Sequence, residues 1–190
     1  MGDLTWEKLE RRKVYDGDIF SVHRERSRCR ADGREHDFHI LDTADWVNVV
    51  AATPAGKLLL VRQWRHGSGG VTVEIPGGMV DDGESPEQAA RRELAEETGY
   101  QAGGWELIGT VEPNPAFQTN RTYTYLARGA VPAGGQQLDE NECIEVFEWP
   151  MGNILQLVAD GTIRHALVIC ALFHLLRHGD LCLPIPEGVA

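Results

Sequence analysis

The sequence predicts an α/β fold, in which sheet strands are followed by helices that cover them, and three observations predict it. Two apolar runs of strand length, Trp46 to Thr53 and Lys57 to Trp64, flank the turn residues Pro54-Ala55-Gly56, the pattern of central sheet strands. A helix with both ends marked comes next: Ser85 suits the N-cap, Pro86 the first helical position, Gln88 the partner in a capping box, and Gly99 the stop. The chain then closes on an apolar stretch at helical spacing, Ile163 to His178, which should cover a face of the sheet.

The remaining elements follow in chain order. Val14 to Val22 and Asp37 to Leu41 read as short strands on either side of the turn Ala31-Asp32-Gly33-Arg34. This stretch is too small to fold alone, so residues 1–42 are taken as an N-terminal β extension of a main domain over 43–190. The two apolar runs form an antiparallel hairpin, because Pro54-Ala55-Gly56 supplies its turn. A flexible Gly67-Ser68-Gly69-Gly70 loop leads into the strand Val71 to Ile75, which stops at Pro76-Gly77-Gly78. Past the marked helix, Glu106 to Val111 and Thr122 to Ala127 are strands around the Pro113-Asn114-Pro115 loop. Cys143 to Trp149 is a further strand, and Ile154 to Ala159 a short helix set off from the last one by Gly161.

Composition narrows the function classes. With 190 residues, 42% hydrophobic and 25% charged, the chain can bury one substantial core. It holds no apolar run of membrane-spanning length, and Met1 to Arg12 is polar and charged, unlike a secretion signal; the expectation is a cytoplasmic protein with no membrane partner. Cys29, Cys143, Cys170 and Cys182 lie far apart without a CxxC pair, which argues for reduced thiols and against a zinc knuckle. The net charge is −11, and two windows carry most of it. Between Asp81 and Glu97 seven acids face two arginines, and between Asp139 and Glu148 five acids face no base. Acids pooled in this way suit cations and exclude a nucleic-acid backbone as partner.

The first window carries the chemistry. Glu93, Glu96 and Glu97 sit at spacings of three, four and one, so they project from one side of a single helical turn, while Ala90 and Leu94 face the core. Like charges so placed cost a few tenths of a kcal/mol per pair, roughly, and more when partly buried. Arg92 lies four residues before Glu96 and can pair with it, but one arginine does not neutralise three carboxylates. Mg²⁺ and Mn²⁺ do, since they prefer oxygen ligands and keep waters that phosphates can displace. Gly77 and Gly78 let the backbone pass close to this row and offer a carbonyl oxygen. Metals bridged by such carboxylates would clamp a diphosphate and lower the pKa of a bound water.

Gly78, five residues, Glu84, seven residues, then Arg92-Glu93-Leu94-Ala95-Glu96-Glu97-Thr98-Gly99-Tyr100 resembles the Nudix box in every polar and glycine position. Tyr100 stands where the family usually has an aliphatic residue. The resemblance implies a Nudix α/β/α sandwich with a mixed sheet, in which Glu93, Glu96 and Glu97 hold the metals with help from the Gly77 carbonyl. Arg92 would orient the glutamates, with Glu84 supporting the set from behind. Histidines are not needed: His174 and His178 close the last apolar helix, where they suit its dipole, and nothing is spaced to orient His66.

The flanks resemble the ADP-ribose pyrophosphatase group of nucleoside diphosphate sugar hydrolases. Asp45-Trp46-Val47-Asn48-Val49-Val50, Val61-Arg62-Gln63-Trp64-Arg65, Glu74-Ile75-Pro76-Gly77-Gly78 and Asp139-Glu140-Asn141-Glu142 carry that likeness, and Pro115 falls where the group has a marker proline. The likeness implies a homodimer in which the N-terminal strands are exchanged and help form the base pocket. It also implies a substrate site with Trp46 stacked on the base, Arg65 on phosphate, and Glu74 nearby. A general base is expected on the second acidic segment, among Glu140, Glu142 and Glu145, with Glu142 favoured. The sequence departs from the group at Asn114-Pro115-Ala116-Phe117-Gln118-Thr119-Asn120, where a Ser-Pro-Gly and an acid are usual. ADP-ribose is the favoured small-molecule substrate, beside GDP-mannose, UDP-glucose or a dinucleotide. A catalytically silent nucleotide sensor is the rival, but such modules commonly lose box carboxylates and this chain keeps them.

Overall fold

The computed structural model describes residues 2–179, so Cys182 lies outside the described residues. Its contacts divide the chain into two compact units, one of residues 1–45 with 112–121 and one of residues 46–111 with 122–190. The first unit is an antiparallel sheet of β1 (Trp6–Asp16), β2 (Phe20–Cys29) and β3 (Glu35–Thr43), in that spatial order. The single strand expected over Val14 to Val22 is in fact the turn between β1 and β2: the Gly17 N–H donates to the Phe20 carbonyl at 3.0 Å. β1 has almost no buried side chain, and the sheet is tied by cross-strand charge instead. Arg24 pairs with Asp37, Arg11 with Asp42, and Glu35 receives both Arg26 and Arg28. Residues 112–121 join the unit through Leu41, whose N–H donates to the Phe117 carbonyl at 2.7 Å and whose carbonyl accepts from the Thr119 N–H at 3.2 Å.

The second unit is a mixed sheet between helices. Its strands are β4 (Trp46–Ala52), β5 (Lys57–Arg65), β6 (Gly70–Glu74), β8 (Gly104–Val111), β9 (Thr122–Arg128) and β11 (Ile144–Pro150); β7 (Tyr100–Gln101) and β10 (Val131–Pro132) form a separate short ladder. The order is β11-β5-β4-β9-β8, with β6 on β5, and the β4–β9 pair is parallel. Period-two alternation assigns the layers. Val47, Val49 and Ala51 pack with Ala89, Ala90 and Leu94 of α1 (Pro86–Thr98). Val50 and Ala52 face the other way, among α2 (Ile154–Ala159) and α3 (Ala166–His178), against Leu157, Ala171, Leu172 and Leu175. The α/β/α sandwich is therefore written in the parity of β4.

The hairpin of β4 and β5 is paired at its turn alone, Ala52 opposite Leu58. Beyond that point the segment after β6 takes the place of β5 beside β4. The Val49 N–H donates to the Pro76 carbonyl and the Val47 N–H to the Gly78 carbonyl, each at 2.8 Å. A Cβ on Gly77 would collide with the Val47 carbonyl oxygen, so only glycine lets the two backbones approach this closely.

Helix α1 begins as its sequence demands. The Ser85 side chain accepts from the Gln88 N–H, the Gln88 side chain accepts from the Ser85 N–H, and Gly99 closes the helix in the left-handed region at φ 72°. Helix α3 starts at Ala166, three residues later than the apolar pattern begins. His174 lies over Gly109, where no side chain could fit, and His178 pairs with Glu106 at 2.9 Å.

Candidate active site

The inserted segment and helix α1 meet in a cleft of about 300 Å³. Trp46, Arg65, Gly77, Glu93, Glu96, Glu97, Arg92 and Glu142, all singled out in the sequence, line it together. Gln63, Met79, Asp81 and Asp139 also line it and were not foreseen. Strand parity held the signal for Gln63, which shares a face of β5 with Arg65 and with Leu59 beneath α1.

Glu97 is the deepest carboxylate, only 3% exposed. The Gly77 N–H donates to its Oε2 at 2.9 Å. Burial, with Glu93 and Glu142 nearby adding repulsion, pushes its pKa up to about 8 despite that bond. Burial likewise raises Glu93 to about 7, with Arg92 opposing the shift and Glu96 and Glu142 adding to it. Gly78 makes room here, since a Cβ on it would collide with the Glu93 carboxylate. Two adjacent carboxylates that keep protons this far above the ordinary glutamate value are short of positive charge.

Arg65 acts on Glu97 from farther away, and Arg92 supplies the part that is hydrogen-bonded. Its Nη1 donates to Glu93 Oε1 at 2.8 Å and to Glu96 Oε2 at 3.0 Å. Its Nη2 donates to the Met79 carbonyl at 2.9 Å and to Glu84 Oε2 at 3.0 Å, and its Nε to Glu84 Oε1 at 3.2 Å. The forked pair holds the Glu84 carboxylate below its usual range, and Glu84 in turn raises the pKa of the guanidinium. Arg92 thus fixes the rotamers of Glu93 and Glu96 while Glu84 fixes Arg92. The Glu96 contact is the one the sequence spacing suggested; the contact to Glu84 closes a loop that spacing does not reveal.

Arg65 and Glu74 form a second, balanced pair. Glu74 is 2% exposed and accepts from Arg65 Nε at 2.9 Å, from Arg65 Nη2 at 2.8 Å and from the Thr72 hydroxyl at 2.6 Å. Burial alone would raise its pKa, but these hydrogen bonds outweigh burial and hold it below the ordinary value. Glu74 stands behind Arg65 rather than in the cleft wall, so any influence on a ligand passes through that guanidinium.

The second acidic segment contributes one edge. The Glu142 N–H donates to the Asp139 carbonyl at 3.0 Å, and Glu142 Oε2 accepts from the Asp139 N–H at 3.1 Å, which closes a turn. Glu140 is exposed on the same turn and outside the cleft wall. Glu145, on β11, pairs with Arg62 at 3.0 Å. Tyr100 packs beside the α1 core, and its hydroxyl donates to Glu148 at 3.3 Å.

An α/β/α sandwich whose cleft gathers more glutamates than its two arginines, Arg65 and Arg92, can balance has the make-up of a phosphate-processing enzyme that works with divalent cations. Residues 43–170 match the NUDIX domain; the chain belongs to the Nudix family and is a Nudix hydrolase. It is 30% identical to the ADP-ribose pyrophosphatase of Bacillus subtilis over 176 residues, which cover 92% of this chain and 95% of that protein. It is 31% identical to the GDP-mannose pyrophosphatase of Klebsiella pneumoniae over 163 residues, 79% of this chain and 81% of that one. Among solved structures, an ADP compounds hydrolase superposes with a TM-score of 0.81 at 23% identity, covering 92% of this chain and 96% of its own, and shares the fold.

Nudix hydrolases generally need divalent metal ions, and the donor set here fits such ions. It is all oxygen, it carries excess negative charge, and its innermost carboxylate, Glu97, has one donor among the described residues, the Gly77 N–H. Among those residues no three His, Cys, Asp or Glu side chains converge tightly enough to cage an ion.

Proposed function

We propose that the protein hydrolyses the diphosphate bond of nucleoside diphosphate sugars, ADP-ribose foremost, to a nucleoside monophosphate and a sugar phosphate, with Mg²⁺ or Mn²⁺. The observation that carries this reading is Glu97, a buried carboxylate beside Glu93 with no arginine bonded to it. Glu93, Glu96, Glu97 and the Gly77 carbonyl are the oxygens assigned to the metals, which when bound neutralise the diphosphate and acidify the attacking water. The chain's own residues do the rest. Arg92 keeps Glu93 and Glu96 aimed into the cleft, and Arg65, held by Glu74, meets a phosphate oxygen with its outer edge. Glu142, at the cleft rim, takes the proton of the attacking water, with Glu140 next to it on the turn as the alternative. Trp46 offers an aromatic face to the base.

The ADP-ribose and GDP-mannose pyrophosphatases among the relatives support a nucleoside diphosphate sugar over a nucleic acid. The three described cysteines are unpaired, in keeping with a reducing, cytoplasmic setting, and no described helix is long and apolar enough to cross a membrane. The N-terminal strands are assigned to a homodimer interface and to the base pocket, and light scattering that gave a monomer at micromolar concentration would remove that assignment. Substrate choice is tested by a panel of ADP-ribose, GDP-mannose, UDP-glucose and a dinucleotide with Mg²⁺ or Mn²⁺, read as phosphate released after phosphatase treatment. ADP-ribose should give the highest kcat/KM. GDP-mannose ranking first would move the chain toward the other set of relatives, and no hydrolysis of any member would end the reading.

A further inference from the structure

Arg65 lines two cavities. On one side is the carboxylate cleft; on the other is a cavity of about 450 Å³ walled by Arg65, His66, Ser68, Arg164, His165 and Ala166. Nothing in the proposed hydrolysis uses this second space, yet its groups share one chemistry. Arg164 reaches over Gly70 and has no carboxylate bonded to it among the described residues. The Nδ1 atom of His165 is buried without a hydrogen-bond partner, and the closest carboxylate oxygen, on Glu74, is 3.8 Å away, too far for one. Ala166 opens the thirteen-residue helix α3, whose N-cap, His165, gives no side-chain cap. First-turn N–H groups left in this way attract anions. Glu74 itself is paired with Arg65 at 2.8 Å.

We infer that this cavity is a second phosphate subsite, which takes a phosphomonoester beside the diphosphate held in the carboxylate cleft. Arg164 supplies the free guanidinium fork, His165 a ring nitrogen, and helix α3 its uncapped N–H groups. Because Arg65 borders both spaces, a single ligand can span them, and substrates carrying a phosphate besides the scissile diphosphate are the chemical class this geometry selects. Free inorganic phosphate has the same chemistry and is the other source. The preference among substrates rests on the hydrolase reading given above; the binding of phosphate does not.

The test has two arms on the full chain. In the first, inorganic phosphate is titrated into metal-free protein, where the acidic cleft repels anions, and the ring signals of His66 and His165 are followed by NMR. Binding should saturate at one phosphate per chain. It should weaken about tenfold in Arg164→Ala, the loss of one charge-assisted contact, and less in Arg164→Lys, which keeps the charge and loses the fork. No saturable binding, or equal binding in Arg164→Ala, overturns the subsite. In the second arm, kcat/KM is compared for ADP-ribose and its 2′-phosphate. A preference for the phosphorylated substrate that disappears in Arg164→Ala, with ADP-ribose turnover unchanged, assigns the subsite to substrate. Equal rates overturn that assignment and leave free phosphate as the ligand. Phosphate bound without hydrolysis of either compound would sink the hydrolase reading and spare the subsite.

Discussion

Arg65 and Arg92 both bind glutamates within the same unit, but their charge balance is opposite. Arg65 meets one carboxylate, Glu74, and satisfies both of its oxygens. Arg92 meets three, Glu84, Glu93 and Glu96, and does not bond Glu97 at all. Where charge is matched, the carboxylate stays ionised although buried, and the pair positions an arginine. Where it is not, Glu93 and Glu97 hold protons well above the ordinary glutamate range. On the proposed function such a deficit reserves the position for a cation from outside, and charge balance would then separate a phosphate-binding half of the site from a metal half.

The sharpest way to break this contrast is to neutralise one residue of each half. Glu97→Gln or Glu93→Gln should lower kcat by roughly two to three orders of magnitude, while the metal-free protein at pH 8.5, where both carboxylates are ionised, melts at an unchanged or higher temperature because a buried charge is gone. Near wild-type turnover in both variants would remove these residues from the metal site. Glu142→Gln comes next, with turnover slower by about 10²-fold and metal affinity unaltered, as for a lost proton acceptor. If metal affinity fell instead, Glu142 would join the ligand set.

Glu74→Gln works in the opposite direction and is smaller. It strands the Arg65 charge and should cost about 2 kcal/mol in denaturant unfolding, a figure kept below that of fully buried pairs because Arg65 is 34% exposed and solvent screens it. A stabilised Glu74→Gln protein would mean that the two halves do not differ in kind.

The last effect is on the pH dependence of stability. Glu97 and Glu93 hold their protons to about 8 and about 7 in the fold, against 4.5 ordinarily. The stability this lends is complete below about pH 4.5 and is lost as pH rises through those values. Glu74 and Glu84, held below 4.5, contribute the reverse: stability present above that value and lost on acidification. Metal-free protein should therefore melt at a lower temperature at pH 8.5 than at pH 6, and Mg²⁺ should restore most of the difference. A flat profile between those pH values would contradict the proton-holding role of Glu93 and Glu97.

The legible parts of the molecule were those fixed by local chemistry. Helix α1 could be bounded because Ser85, Gln88 and Gly99 act on the backbone beside them, and the row Glu93, Glu96, Glu97 because helical spacing alone places it. Of the layers, the apolar spacing of Ile163 to His178 revealed a helix covering one face, whereas β4, buried on both faces, did not show which of its residues meet which helix. Strand β1 was not legible, since Trp6–Asp16 carries charge on both faces and is a strand only through its pairing with β2. Nor was the parting of β4 from β5, which depends on residues 76–79 arriving from beyond β6. The same limit hid the Arg65–Glu74 pair, a product of strand register, and the bond from Glu84 to Arg92, which needs the loop before α1 to fold back on it.

The most direct test of the account is a calorimetric titration of Mg²⁺ and Mn²⁺ into wild-type and Glu97→Gln protein at two buffer ionisation enthalpies. Wild type should take up metal and release protons as it does so, and Glu97→Gln should bind more weakly and release fewer. Absence of metal uptake by wild type, even with a nucleotide present, would contradict the claim that the acid row is a cation site.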